Sequence, residues 1–203
     1  MGGKNNYIKK MDEIFTSKPS SDYSYYGFKI HEILEMELAG MGQYAHGNQP
    51  IQHAIYLYNY AQQPWKTQEK VRYVMDNLYG SGADGYCGDE DNGQTSAWFV
   101  FSSLGFYPVA PVTGQYVIGS PLFEEVTIKL SNGKDLKINA HENSDKNIFI
   151  NSFKFNQLES NNNWIDHNIL KEGGVIDFEM TSTPNLNWGS DKNSVPYSMS
   201  KDE

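Results

Sequence analysis

The sequence predicts an α+β chain in which helices come first and strands follow. Two periodicities and one break predict it. Apolar residues recur at helical spacing in Tyr7/Ile8/Met11/Ile14/Phe15, Ile30/Ile33/Leu34/Leu38 and Val71/Val74/Met75/Leu78. Further on they alternate with period two, in Val126/Ile128/Leu130, Leu136/Ile138/Ala140 and Ile176/Phe178/Met180. The change falls near Pro108 to Gly114.

Taken in order, the first helix runs from Lys4 to Phe15 and is followed by a loop, Ser17 to Tyr26. A second helix from about Phe28 to Leu38 is stopped by Gly40 and Gly42. Gln43-Tyr44-Ala45-His46-Gly47-Asn48-Gln49-Pro50 is a polar turn, and Pro50 suits the first turn of a helix from Ile51 to about Ala61. Pro64-Trp65 breaks the pattern, with Thr67 as N-cap of a helix through Leu78. After an acidic loop, Gly85 to Gln94, a last helix stops at Gly105. Strands follow at Tyr116 to Ile118, on both sides of the Asn132-Gly133 turn, at Ile148/Ile150, at Phe153/Phe155, and after Gly173-Gly174. Residues after Gly189 are polar and read as loose. The expected division is helices over 1–112, strands over 113–190 and a polar tail over 191–203. Five or so helices bury such stripes poorly alone, and their polar loops fall at one end, as in part of a larger helical toroid. Phe28, Ile33, Tyr56, Trp98 and Phe101 are the faces that the remainder of such a toroid would cover.

Composition narrows the function. A net charge of −9 and a pI near 5.0 argue against nucleic acid as a partner. Cys87 is the single cysteine, so no disulfide framework forms within the chain. No apolar run reaches the eighteen or so residues of a membrane span. The first residues carry no signal-peptide pattern, and compartment is unreadable from the chain itself. An aromatic content of 14% beside many Asn and Gln leans toward carbohydrate sites, where rings stack on sugars and amides bond hydroxyls.

The chemistry concentrates in Gly85-Tyr86-Cys87-Gly88-Asp89-Glu90-Asp91-Asn92-Gly93-Gln94. Asp89 and Asp91, two apart on extended backbone, would point the same way. The plain reading is a solvated loop whose polar side chains cap the next helix. The sharper reading sets the carboxylates against Trp98, Phe99, Phe101, Phe106 and Tyr107, where desolvation tunes an acid or base. An EF-hand is excluded: counted from Asp89, position five is Gly93 and position twelve is Val100, so the bidentate acid is missing. His31 and Glu35 share a helical face one turn apart with Glu32 adjacent, a pair that is more often structural than functional.

Together, His31-Glu32, Gly42 to Pro50, Gly85 to Trp98, Gly105-Phe106-Tyr107-Pro108 and Ile118-Gly119-Ser120-Pro121-Leu122-Phe123 resemble the glycoside hydrolase family 92 α-mannosidases. Trp164-Ile165-Asp166-His167 and Gly173-Gly174 fit as well, so the likeness runs from Met1 to about Gly189. The resemblance implies a calcium-dependent, inverting exo-mannosidase with an N-terminal β-sandwich and an (α/α)6 toroid, from which strands return to the sandwich at the C-terminal end. It implies that Asp91 is the general base and Asp89 its paired acid. The two are too close in sequence to span the roughly 6.5–9.5 Å between an inverting acid and base, so both belong on the water side. It implies that His31 and Glu32 contact the leaving sugar in members acting on α-1,2 links, and that Glu35, Asn48 and Gln49 lie where calcium and the mannose ring bind. Many members carry Glu at the position of Gln49, so the amide here removes one negative charge from the expected calcium site. The general acid, a Glu, is expected upstream of Met1, as is the rest of the toroid. The chain is thus expected to be the C-terminal part of an enzyme that binds a mannose-containing glycan, is exported by a bacterium, and needs its N-terminal part to act. A non-catalytic calcium-dependent sugar-binding module and an inert remnant are the alternatives for the chain alone.

Overall fold

The computed structural model describes residues 2–19 and 22–199. Helices do precede strands. They are α1 (Lys4–Thr16), α2 (His31–Ala39), a 3₁₀ segment (Gln49–Tyr56) running into α3 (Leu57–Tyr60), α4 (Pro64–Asn77) and α5 (Gln94–Ser103). Then come β1 (Phe106–Ala110), β2 (Gln115–Ile118), β3 (Glu125–Lys129), β4 (Asp135–His141), β5 (Phe149–Phe155), β6 (Leu158–Ser160), β7 (Trp164–Asp166), α6 (His167–Leu170) and β8 (Gly174–Thr181). The chain divides into two units, Met1–Ala54 with Tyr73–Phe99, and Ile55–Arg72 with Val100–Glu203.

Several helical expectations are corrected by tertiary contacts. α2 begins at His31 because Ile30 is extended and Gly27 turns left-handed at φ 73°. Leu34 and Leu38, assigned to its buried stripe, are 45% and 85% exposed. Ile51 to Ala61 is mostly 3₁₀, because carbonyls an α-helix would use are taken elsewhere. The Gln52 carbonyl accepts from the Trp98 indole at 3.3 Å, and that of Ile55 accepts from Thr67 Oγ1 at 3.0 Å. Thr67 is therefore not an N-cap. Pro64, read as a break, is the first residue of α4, where its missing N–H costs nothing. Tyr56 and Trp98, expected to face missing parts of a toroid, are fully buried within the chain.

The sheets belong to the second unit. One has strand order β1-β2-β7, the other β3-β4-β8-β5-β6. β3 and β4 form the expected hairpin, with Gly133 left-handed at φ 80° in the turn. The pairing of β4 with β8 is parallel, and the rest of that sheet is antiparallel. Ile148/Ile150 and Phe153/Phe155 stand on opposite parities in the sequence. A register shift between Ile150 and Ser152 reconciles them within β5, so that Ile150 and Phe153 are both buried. Phe178, fully buried, packs on Phe153 at 5.3 Å between centroids. Gly105, at φ 97°, leaves room for it: a Cβ there would meet the Phe178 ring at 3.3 Å.

Buried polar side chains fix Ile55–Arg72 on these strands. Asn59 Nδ2 donates to the carbonyls of Ile118 (2.8 Å) and Asn163 (3.1 Å), and Asn163 returns a bond to the Asn59 carbonyl. Gln68 Oε1 accepts from the Ile150 amide at the β5 irregularity. Arg72 donates to the Pro121 carbonyl and to Asn143 Oδ1. Of the segment after Gly189, expected to be loose, the described part is tied down by Asn163 N–H to the Ser194 carbonyl and Tyr197 N–H to Gln115 Oε1, while residues 200–203 of the expected polar tail lie outside the described residues.

Replacing Phe178 with Ala should remove about 3–5 kcal/mol of stability, the usual result of emptying a fully buried aromatic site. Denaturant unfolding measures it, and a loss under about 1 kcal/mol would mean that the strands collapse around the void.

Candidate active site

The candidate residues that come together lie in the first unit, on α2 and on two loops. The loop after α2 is set by Gly40 and Gly42, both left-handed at φ 65° and 66°. At Gly42 a Cβ would lie 2.5 Å from the Phe15 carbonyl carbon, and the next amide, of Gln43, donates to the Ile14 carbonyl at 2.7 Å. This seats the polar turn against the end of α1.

Further on, that turn crosses the acidic loop at a pair of glycines. A Cβ on Gly88 would lie 2.5 Å from Gly47 Cα, and one on Gly47 would lie 2.8 Å from Gly88 Cα. Both hypothetical carbons would also strike Glu35 Oε2, at 2.7 and 2.5 Å. Glycine is required here for space, since neither residue has a positive φ.

Glu35 projects from α2 onto this crossing. Its Oε2 is buried and has no hydrogen-bond partner among the described residues. Burial raises its pKa; the nearby His31 opposes the shift, while Asp89 and Glu32 add to it. His31 begins the same helix, with Nε2 at 3.4 Å from Glu32 Oε1 and 3.7 Å from Asp89 Oδ2. His31, Glu32, Glu35 and Asp89 thus form one cluster.

Asp91 does not follow Asp89 on extended backbone. Asp91, Asn92 and Gly93 are consecutively left-handed, at φ 51°, 56° and 98°. Asp and Asn tolerate that region better than other side chains, which is why the tight entry into α5 can be built from them. Asp89 and Asp91 are both exposed, contrary to the expected desolvation by aromatic rings. The carboxylate that is desolvated is Glu35. Trp98 instead faces inward, edge-on to His46 at 4.4 Å and parallel to Tyr79 at 5.9 Å between centroids.

The acid that caps α5 is Glu90. Its Oε2 accepts from the Gly93 amide and its Oε1 from the Ser96 hydroxyl, each at 2.7 Å. These two bonds are the leading causes that hold its pKa below the ordinary value. A carboxylate at a helix N-terminus is also favoured by the dipole.

His46 braces the turn from beneath. It is buried, and desolvation lowers its pKa to about 3, so the ring is neutral. Tyr79 donates to the Thr95 carbonyl at 3.2 Å, so it receives the His46 Nε2 proton at 2.8 Å, and Nδ1 accepts from Tyr44 at 2.7 Å. Gln49, half-buried, spends its amide protons on the carbonyls of Asp89 (3.2 Å) and Gly47 (3.3 Å), which leaves Oε1 for a ligand. Asn48 is half-buried beside it. Among the described residues no three His, Cys, Asp or Glu side chains converge as a metal centre. A cation would therefore depend on Glu35 together with amide oxygens.

Sequence reasoning missed Glu90, Gln52, His46 and Thr95 as supports. Glu90 had a local signal, an acid three residues before the glycine that opens α5. For the others the deciding partners, Tyr79 for His46 and Thr95 for Gln52, lie 33 and 43 positions away, and no periodicity reports them.

Clustered carboxylates are the working groups of glycoside hydrolases, and comparison with known proteins agrees. Residues 1–182 match the family model described as the glycosyl hydrolase family 92 catalytic domain, so the chain belongs to that family. A structure described as a family GH92 inverting mannosidase from Bacteroides thetaiotaomicron is 52% identical, with a TM-score of 0.84 over 99% of this chain and 27% of its own. A family GH92 α-mannosidase of the same bacterium, in complex with mannoimidazole, is 36% identical with a TM-score of 0.88, over 98% and 25%. An uncharacterized secreted glycosidase of Arthroderma benhamiae is 30% identical over 156 residues, 75% of this chain and 20% of that protein. The chain therefore spans a quarter or less of the length of most of these relatives.

Because the folded pKa of Glu90 is depressed, its cap contributes stability above the unfolded carboxylate pKa and loses it as pH falls through the folded value. A Glu90→Gln variant should melt below the parent at pH 7, and the gap should close below about pH 4. Thermal scans across pH measure this; a gap that persisted in acid would assign the loss to shape and not to charge.

Proposed function

We propose that this chain carries the water-activating side of an inverting exo-α-mannosidase, working together with an N-terminal part of the same enzyme. The helices would belong to an (α/α)6 toroid and the strands to a β-sandwich. The observation that carries the reading is the pair of exposed carboxylates, Asp89 and Asp91, at the left-handed entry to α5, with His31 3.7 Å from Asp89. The 52% identity to an inverting mannosidase supports the reaction type.

In this reading Asp91 takes a proton from the attacking water. Asp89, two residues away, keeps the local potential negative and so favours that transfer. Inversion needs a protonated carboxyl on the far side of the sugar, which the N-terminal part would supply. On the first turn of α2, His31, exposed, and Glu32, half-buried, would hold hydroxyls of the leaving sugar, with α-1,2-linked mannose of N-glycans or mannans as the substrate class. The secreted relative supports export, here from a bacterium to the periplasm, cell surface or medium.

A calcium ion fits one feature of the site. Glu35 Oε2 is a buried carboxylate oxygen with no protein donor, an arrangement that favours a bound cation. Glu35 with the amide oxygens of Asn48 and Gln49 would hold it. The ion would fix neighbouring sugar hydroxyls and favour a distorted ring.

In the complete enzyme, Asp91→Asn should lower kcat by about 10²–10⁴-fold without unfolding the protein, because an amide cannot accept the water proton. Asp89→Asn should cost less. Mannose release from an α-1,2-mannobiose measures both, and near-parental turnover in Asp91→Asn would remove Asp91 as the base.

Chelation should abolish activity, and added calcium, not magnesium alone, should restore it. Activity indifferent to chelator would reject the metal role of Glu35, Asn48 and Gln49.

A further inference from the structure

Gln52 is fully buried on the 3₁₀ segment that follows the polar turn. Its side chain is committed at every polar position. Nε2 donates to the His46 carbonyl at 3.1 Å and to Thr95 Oγ1 at 3.2 Å, and Oε1 accepts from Gln94 Nε2 at 3.3 Å. Thr95 is likewise fully buried. Having accepted from Gln52, its hydroxyl sends its single proton to the Asp89 carbonyl at 2.9 Å. The bond directions form one chain, from Gln52 N–H to the Thr95 hydroxyl to the Asp89 carbonyl. Gln49 Nε2 donates to the same Asp89 carbonyl at 3.2 Å.

We propose that Gln52, acting through Thr95, is a positioning residue that holds the backbone of Asp89, and with it Asp91, in place for water activation. The inference rests on the base reading given above. Asp89 and Asp91 are exposed, and three successive left-handed residues follow from Asp91, so where their side chains stand depends chiefly on how the backbone beneath them is held, with His31 at 3.7 Å from Asp89 as a surface contact. The Glu90 cap fixes the α5 side of the turn, and the Asp89 carbonyl is the fixed point on its other side. A neutral amide suits this task, since it donates twice and accepts once without placing a charge beside the carboxylates. Catalytic groups displaced by about 1 Å lose on the order of 10²-fold in rate.

The test uses the complete enzyme, with Gln52→Met, Thr95→Val and Thr95→Ser, the Gln52→Met/Thr95→Val double variant, and Asp91→Asn alongside. Kinetics on the mannobiose are paired with hydrogen exchange of the peptide spanning residues 86–96. Gln52→Met and Thr95→Val should each lower kcat by about 10- to 100-fold with little change in KM. The double variant should be no worse than the poorer single, because both break one chain. Thr95→Ser, which keeps the hydroxyl, should recover most of the rate. Exchange should rise in the loop for Gln52→Met and Thr95→Val and stay low for Thr95→Ser. Faster exchange with unchanged kcat would overturn the positioning role, as would additive losses or a Thr95→Ser variant as poor as Thr95→Val. If Gln52→Met does not fold, the Thr95 pair decides alone. Retained turnover in Asp91→Asn would instead sink the base reading, and the two failures are thereby separable.

Discussion

Two glycines pressed against each other beneath a buried carboxylate oxygen constrain the whole candidate site. Gly47 and Gly88 come from loops separated by 41 positions in the numbering, and their backbones approach so closely that neither tolerates a Cβ. Glu35 Oε2 sits on the crossing with no donor of its own. The contact sets where Asn48 and Gln49 emerge on one side and Asp89 on the other. It also explains why the desolvated carboxylate is Glu35 and not an acid of the loop: backbone encloses Glu35, whereas the loop acids lie beyond the crossing in solvent.

Around this point the first unit separates charge from support. The charged groups His31, Glu32, Asp89 and Asp91 are at the surface, where they can meet a polar ligand. Beneath them lie neutral groups, the half-buried Tyr79 and the buried His46 (without a proton to spare), Tyr44, Thr95, Gln52 and Trp98. Neutral donors and acceptors can be buried at modest cost when each is satisfied, whereas a buried charge would need a partner. The left-handed run of Asp91, Asn92 and Gly93 is tolerable because Glu90 closes the turn on its near side and α5 begins at once on the other.

The second unit uses the same device for architecture. Asn59 and Gln68 pair with a carbonyl and an amide that the strands leave open at an end and a bulge, and Asn163 and Arg72 pair with carbonyls of the loops at Gly189 and Pro121. Such bonds are directional where apolar packing is not, so they fix register as well as contact. The described residues following Gly189 are held by hydrogen bonds at Ser194 and Tyr197, which is why a polar composition there did not mean looseness.

What the sequence determined by itself was periodic or dense in local signals. The α+β order, α1, the β3–β4 hairpin, the buried stripe of β8 and the stretch that carries the acids were all legible, because a period or a turn residue reports its own conformation. The resemblance in several long motifs identified the family. Tertiary structure alone decided the rest. It turned Ile51 to Tyr56 from α into 3₁₀ by taking carbonyls for Trp98 and Thr67, and it made Pro64 a helix start. It exposed Leu34 and Leu38 while burying Tyr56 and Trp98. It also joined Gln52 to Thr95, 43 positions apart. Each of these outcomes depends on a partner distant in sequence, and a pattern of hydrophobicity carries no record of which distant group a polar atom will meet.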